Sequence, residues 1–197
     1  MKKQLTFLSG ILAFMALVAF TPVSDSDGFY RVDLDASKVN WVASKITGST
    51  HEGFVKVMEG GIQISNGEIS GGKFTIDMTS ITVTDLDGGM KEKLEGHLKN
   101  DDFFAVDKFK TASLAIVSVN DNKVKANLTI KGITHEVEFP VEMNFDDNGG
   151  LKATASIEVD RAKYDVKYKS GSFFENLGDK AINDIIKFDV VIVGKAG

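Results

Sequence analysis

Residues 123–145 read KVKANLTIKGITHEVEFPVEMNF, and their alternation decides the fold. Val124, Ala126, Leu128 and Ile130 share one face of an extended chain, and Lys123, Lys125, Asn127 and Thr129 share the other. Lys131-Gly132 interrupts the run. The alternation then resumes, with Val137, Phe139, Val141, Met143 and Phe145 set against Glu136, Glu138, Glu142 and Asn144. Two strands with one apolar and one charged face, joined by a Gly-containing turn, are an antiparallel hairpin with one side on a core.

The same period extends outward in both directions. Ala153, Ala155, Ile157 and Val159 oppose Lys152, Thr154, Ser156 and Glu158, and Phe74, Ile76 and Met78 oppose Lys73, Thr75 and Asp77. Turn-forming clusters stand at Ser65-Asn66-Gly67, Asn120-Asp121-Asn122 and Asp146-Asp147-Asn148-Gly149-Gly150. Strands are expected near 29–34, 38–46, 50–59, 61–65, 68–83, 110–119, 123–131, 133–145, 150–160 and 184–194. Gly60-Gly61 and Gly71-Gly72 lie within strand runs, where bulges or bends explain them. One segment breaks the pattern. Between Gly88 and Asn100, Met90, Leu94 and Leu98 recur every four residues, His97 joins their face, Lys91 and Glu95 can pair, and Asp87 can cap. A second short helical turn is expected near Phe173–Leu177. The fold class that follows is all-β, a closed antiparallel eight-stranded barrel with one amphipathic helix. Closure removes unpaired edges, and eight strands leave an interior for side chains or one small ligand.

The N-terminus differs from the rest. Lys2 and Lys3 precede an apolar run from Leu5 to Phe20, and the chain then turns polar. This describes a secretory signal peptide, placed at residues 1–24 and followed by one domain at 25–197. The protein is therefore expected to be periplasmic or secreted, without an integral membrane span in the mature chain. Absence of cysteine excludes disulfides, zinc–thiolate sites and thiol nucleophiles. The net charge is −5, with both signs interspersed along the chain, which argues against nucleic acid as a partner and against electrostatic docking on anionic lipid.

Several ordered motifs carry a resemblance. They are Gly72-Lys73-Phe74-Thr75-Ile76-Asp77-Met78-Thr79-Ser80-Ile81, then Lys93-Leu94-Glu95-Gly96-His97-Leu98-Lys99-Asn100-Asp101-Asp102-Phe103-Phe104 and Phe109-Lys110-Thr111-Ala112. Leu128-Thr129-Ile130-Lys131-Gly132-Ile133-Thr134-His135, Asp160-Arg161-Ala162-Lys163-Tyr164 and Leu177-Gly178-Asp179-Lys180-Ala181-Ile182 follow in order. From about Tyr30 to Val193 the chain resembles the YceI-like family. The resemblance implies a lipocalin-like barrel whose elongated apolar cavity binds polyisoprenoid chains. It brings no catalytic residues with it.

The residues themselves offer no catalytic or metal motif. His51, His97 and His135 show no metal-ligand spacing, and neither Asp85-Leu86-Asp87-Gly88-Gly89 nor Asp146-Asp147-Asn148-Gly149 has Glu where a calcium loop requires it. No serine sits in a nucleophile motif. Arg161, following a strand, reads as a fixed ion pair, with a phosphate or quinone oxygen at the barrel mouth as the alternative partner. Neither catalytic residues, a metal nor a cofactor are expected. The resemblance makes the expected ligand a polyprenyl or quinone-like lipid, and a chain of about forty carbons at roughly 0.3 kcal/mol per atom reaches nanomolar affinity from apolar contact alone. The wall is assigned to Phe74, Ile76, Met78, Leu94, Leu98, Phe103, Phe104, Leu128, Phe139, Phe173 and Phe174. The competing reading is a secreted interaction module with a barrel filled by its own side chains. An outer-membrane barrel, with the two faces exchanged, has the same period.

Overall fold

The hairpin of residues 123–145 forms as its alternation requires. In the computed structural model, which describes residues 27–197, Lys123–Ile130 pairs antiparallel with Ile133–Phe145, and Lys131 and Gly132 both take positive φ in the turn between them. The strands in chain order are β1 (Gly28–Val32), β2 (Lys38–Ser44), β3 (Thr50–Ser65), β4 (Glu68–Val83), β5 (Thr111–Asn120), β6 (Lys123–Ile130), β7 (Ile133–Phe145), β8 (Leu151–Asp160) and β9 (Ile185–Ala196). One helix, α1 (Gly88–Lys99), stands between β4 and β5.

These nine segments make eight staves. β1 and β2 both lie between β3 and β9: β1 faces residues 61–64 of β3 and 194–196 of β9, whereas β2 faces residues 50–55 and 187–191. They are one stave interrupted at residues 33–37, where Asp33 Oδ1 accepts from the backbone N–H groups of Asp35 and Ala36. From there every neighbour is antiparallel, and β3–β4 pairing closes the ring. Among the described residues every stave is paired on both sides around the circuit, which is the gain of closure.

The apolar rows face inward and form one core, and the charged rows face outward. On the outer wall Lys125 Nζ lies 2.9 Å from Glu136 and Lys187 Nζ 3.2 Å from Glu158, both cross-strand pairs. This is the reverse of a transmembrane barrel, whose apolar band faces out. Among the described residues no helix is long and apolar enough to cross a membrane.

Three local expectations are revised. The separate strands expected at 50–59 and 61–65 are one continuous β3, irregular in register near Met58. Gly60 and Gly61 do not break it. A Cβ at Gly60 would collide with the ring of Phe74, and one at Gly61 with that of Phe29, so both glycines make room for aromatic rings. Asp87 occupies the N-cap position of α1 without a side-chain capping bond; Asp85, just before it, instead pairs with His51 and accepts from the backbone N–H of Glu52. The short turn expected at Phe173–Leu177 falls at Gly178–Lys180. The leader assigned to residues 1–24 lies outside the described residues.

α1 packs with Leu98 buried and Leu94 half-buried, but Met90 is 68% exposed. The spacing explains this. Four residues advance a helix by about 40° beyond a full turn, so a stripe read from Leu98 back to Met90 drifts by about 80°. Glu95 docks the helix by accepting from the backbone N–H of Val83 at 2.9 Å.

Candidate functional site: the barrel interior

Inward-facing positions of all eight staves enclose one apolar cavity of about 190 Å³. That exceeds the roughly 150 Å³ of an apolar cavity able to take up benzene. The interior is therefore hollow rather than filled, and small side chains are the reason. Ala43, Ala112, Ala153 and Ala155 occupy inward positions where larger residues would meet across the ring. Leu114, Ile116, Leu128 and Phe188 consequently remain only partly buried although they face inside.

The wall holds Phe74, Ile76, Met78, Leu98, Phe103, Phe104, Leu128 and Phe139, all assigned to it from the sequence. Three other assigned residues do not line the cavity. Leu94 packs behind the wall against the core. Phe173 and Phe174 lie outside it, each 51% exposed, on a segment whose side chains are almost all exposed. The assignment also missed Trp41, Ile62, Leu114, Ile116, Phe188 and Val190. The same period-two reading, applied to Val39-Trp41-Ala43 and Ile186-Phe188-Val190-Ile192, would have found three wall positions in one stave and four in another; those rows carry no other signal.

Among the described residues, besides the Trp41 indole, only Thr154 and Arg161 bring polar side chains to the wall. Arg161 is not an exposed residue at the mouth. It is 2% exposed, and its head is saturated by the protein. Nε donates to Asn183 O at 3.1 Å, Nη1 to Val166 O and Tyr168 O at 2.7 and 3.0 Å, and Nη2 to Ile182 O at 3.0 Å. Nη2 also forms an ion pair with Asp184 Oδ1 at 3.1 Å. Burial pulls the guanidinium below its usual pKa, while the charges of Asp184 and Asp160 oppose that. With its donors committed to backbone carbonyls, Arg161 is an architectural clamp, and the alternative of a ligand oxygen at this head is set aside.

Within the wall, Phe103 lies beneath Arg161 at 5.7 Å and packs edge-on against His97. Tyr168 completes the cluster, 4.4 Å from the His97 ring. Cluster and α1 lie at the same end of the barrel, since α1 follows β4 and Arg161 follows β8. Asn100 Nδ2 lies 3.3 Å from His97 Nδ1, and His97 Nε2 is buried without a partner. His51 pairs with Asp85 at 2.8 Å, and His135 meets Lys163 O at 3.0 Å. The three histidines thus have separate surroundings. Among the described residues no three His, Asp or Glu side chains are grouped to hold a metal. Asp146 accepts from the N–H groups of Asn148 and Gly150 and closes a turn.

The family model of the YceI-like domain matches residues 30–193. The chain belongs to the YceI-like family. Its relatives include UPF0312 proteins of Staphylococcus aureus, one 40% identical over 70 residues and another 33% identical over 100. Those matches span 36% and 48% of this chain, and 41% and 58% of the relatives' own length. Among solved structures, this YceI-like chain is similar in fold to BcnA of Burkholderia cenocepacia. The TM-score is 0.61 at 18% identity, covering 83% of this chain and 99% of that one. It is similar also to a polyisoprenoid-binding domain from Saccharophagus degradans, with a TM-score of 0.57 at 16% identity and coverage of 85% and 98%.

Proposed function

We propose that this protein binds a long apolar lipid of isoprenoid type, polyprenyl or quinone-like, inside its barrel, and that it is an exported carrier or sequestering protein. The observation that carries the reading is the cavity: about 190 Å³ of open space whose wall is almost wholly apolar. Such a space favours a ligand recognised by burial, at about 0.8 kcal/mol per methylene before association costs, over one recognised by charge. The Arg161 head, the one formal charge at the wall, is already engaged. Membership of the YceI-like family and similarity in fold to a polyisoprenoid-binding domain support the choice of ligand class. The apolar run from Leu5 to Phe20 behind two lysines supports export. We read the site as one of binding, not of catalysis.

The test is lipid extraction and native mass spectrometry of protein purified from its own host, beside an Ala155→Phe variant. Ala155 is an inward wall residue next to open space, so a phenyl ring there occupies the cavity. The wild type should carry an isoprenoid-type lipid, and the variant should remain folded while its lipid occupancy falls at least tenfold. A wild type that neither co-purifies with lipid nor takes up added polyprenyl compounds would reject the reading in favour of a module without ligand. Cell fractionation with N-terminal sequencing of the isolated protein tests export.

A further inference from the structure

The exposed pair Phe173-Phe174 has no place in the cavity, yet it is held in a built position. It stands on a lobe, residues 171–180, whose side chains are exposed except for half-buried Leu177. The neck of that lobe is tied from both sides. Arg161 donates to Val166 O and Tyr168 O on the incoming segment, and to Ile182 O and Asn183 O on the returning one. Ile182 N donates to Lys169 O at 2.9 Å, and Ser170 and Ser172 hydroxyls donate to Asp184 Oδ2 at 2.8 and 2.7 Å. The backbone N–H groups of Phe173 and Phe174 both donate to Ser170 O. Exposed Ile46 joins the same end, its N–H donating to Ala181 O. Two phenyl rings are thus presented to the outside on a tied neck, which reduces the ordering cost of using them.

The charge around the lobe departs from that of the chain. The chain carries −5. Segments 45–46 and 162–183 carry Lys45, Lys163, Lys167, Lys169 and Lys180 against Asp165, Glu175 and Asp179. Two of the lysines lie against aromatic faces, Lys167 Nζ 4.8 Å from the Phe173 ring centre and Lys169 Nζ 5.0 Å from that of Tyr168, and Lys167 also pairs with Asp165 at 2.8 Å. Aromatic rings flanked by lysines are suited to a membrane interface: the rings enter the boundary between headgroups and acyl chains, and the ammonium groups meet anionic headgroups. Lys167 and Lys169 precede the rings in sequence, whereas Lys45 reaches this end of the barrel only through the fold, where its neighbour Ile46 bonds to Ala181 O.

We propose that this lobe is a docking foot for an anionic lipid bilayer. Phe173 and Phe174 enter the interface, and Lys45, Lys167, Lys169 and Lys180 meet the headgroups. Arg161 and Ile182, at the neck, also belong to the cavity wall, so docking by the foot brings that end of the cavity to the membrane. The inference goes beyond lipid binding in the barrel and stands without it.

The experiment is co-sedimentation of protein purified from its own host with phosphatidylglycerol–phosphatidylcholine vesicles and with phosphatidylcholine vesicles, at low and high salt. The wild type should prefer the anionic vesicles and lose that preference at high salt. The double variant Phe173→Ser/Phe174→Ser should lower partition into anionic vesicles about tenfold or more. Lys167→Glu/Lys169→Glu should remove the preference for anionic over zwitterionic lipid. Val117→Ser, at an exposed apolar residue on β5, should change nothing. Circular dichroism checks that each variant is folded. Wild-type partition equal to that of the double Phe variant would overturn the proposal, as would no partition into either vesicle, the outcome expected if the lobe instead seats on a protein. Cavity lipid measured on the same samples keeps the two readings apart: Ala155→Phe should lose cavity lipid and retain vesicle partition, whereas the double Phe variant should do the opposite.

Discussion

Phe103-Phe104 and Phe173-Phe174 look alike in the sequence, each an aromatic pair outside the alternating strands, and the fold sends them to opposite environments. Phe103 is 6% exposed and both members of its pair line the cavity, while Phe173 and Phe174 stand outside it. The difference lies in where each backbone is anchored. After α1, Phe104 N donates to Leu98 O and Val106 N to Lys99 O, so the chain folds back under the helix and over the barrel. The second pair follows a neck tied to Arg161 and Asp184, beyond which the side chains of the lobe are exposed apart from Leu177. Hydrophobicity alone does not place an aromatic ring; the backbone must first be held where burial is available.

The largest effect should come from the residue that touches both regions. Arg161→Ala removes the clamp of the neck and the cation above Phe103, and leaves Asp184 without its counter-charge. It should cost about 3–5 kcal/mol in denaturant unfolding. A loss below about 1 kcal/mol would show that the two regions are held by something else. Phe103→Ala should cost a similar or slightly smaller amount, about 3 kcal/mol or more, by opening space in a packed cluster. Comparable stability of Phe103→Ala and wild type would erase the contrast between the pairs.

Tyr164 offers a gentler probe of the turn, residues 161–164, from which the lobe departs. Its ring is buried and its hydroxyl has no hydrogen-bond partner. Burial, with the Asp160 charge, pushes its pKa up to about 12 from 10.0. Below about pH 10 both folded and unfolded chains keep the phenolic proton. Above that the unfolded chain loses it first, so stability should fall as pH rises from about 10 to about 12. Tyr164→Phe should flatten this alkaline limb, measured by denaturant unfolding at several pH values, and should cost no more than about 1 kcal/mol at neutral pH because the hydroxyl is unpaired. An unchanged limb in the variant would assign it to another group. The smallest effect is expected at the other pair: Phe174→Ala should lie within about 0.5 kcal/mol of wild type. A larger loss would mean that the lobe packs on the body after all.

Most of the barrel was legible because period two is a local signal. Val124 to Ile130 and Val137 to Phe145 declare their faces without reference to any other strand, and the turns between strands carry their own chemistry. The broken first stave was legible as two strands but not as one stave, since only their shared partners β3 and β9 make it one. Wall positions such as Phe74 and Phe139 followed from alternation. Phe188 and Trp41 could have been found the same way, while Met90 was misplaced by a stripe that drifts around the helix.

The sequence by itself determined which residues face inward, that the strands pair antiparallel, and the family to which the chain belongs. Each rests on short-range periodicity or on ordered motifs, and neither needs the radius of the barrel. Only the tertiary structure decided that the interior is hollow, because open volume depends on side chains meeting across eight staves, with Ala43, Ala112, Ala153 and Ala155 brought together from three of them. It likewise decided that Arg161 is buried and committed rather than offered to a ligand, since its acceptors come from segments up to 22 residues away. And it separated two identical Phe pairs, one into the wall and one onto the surface, because burial belongs to a position in space and not to a residue type.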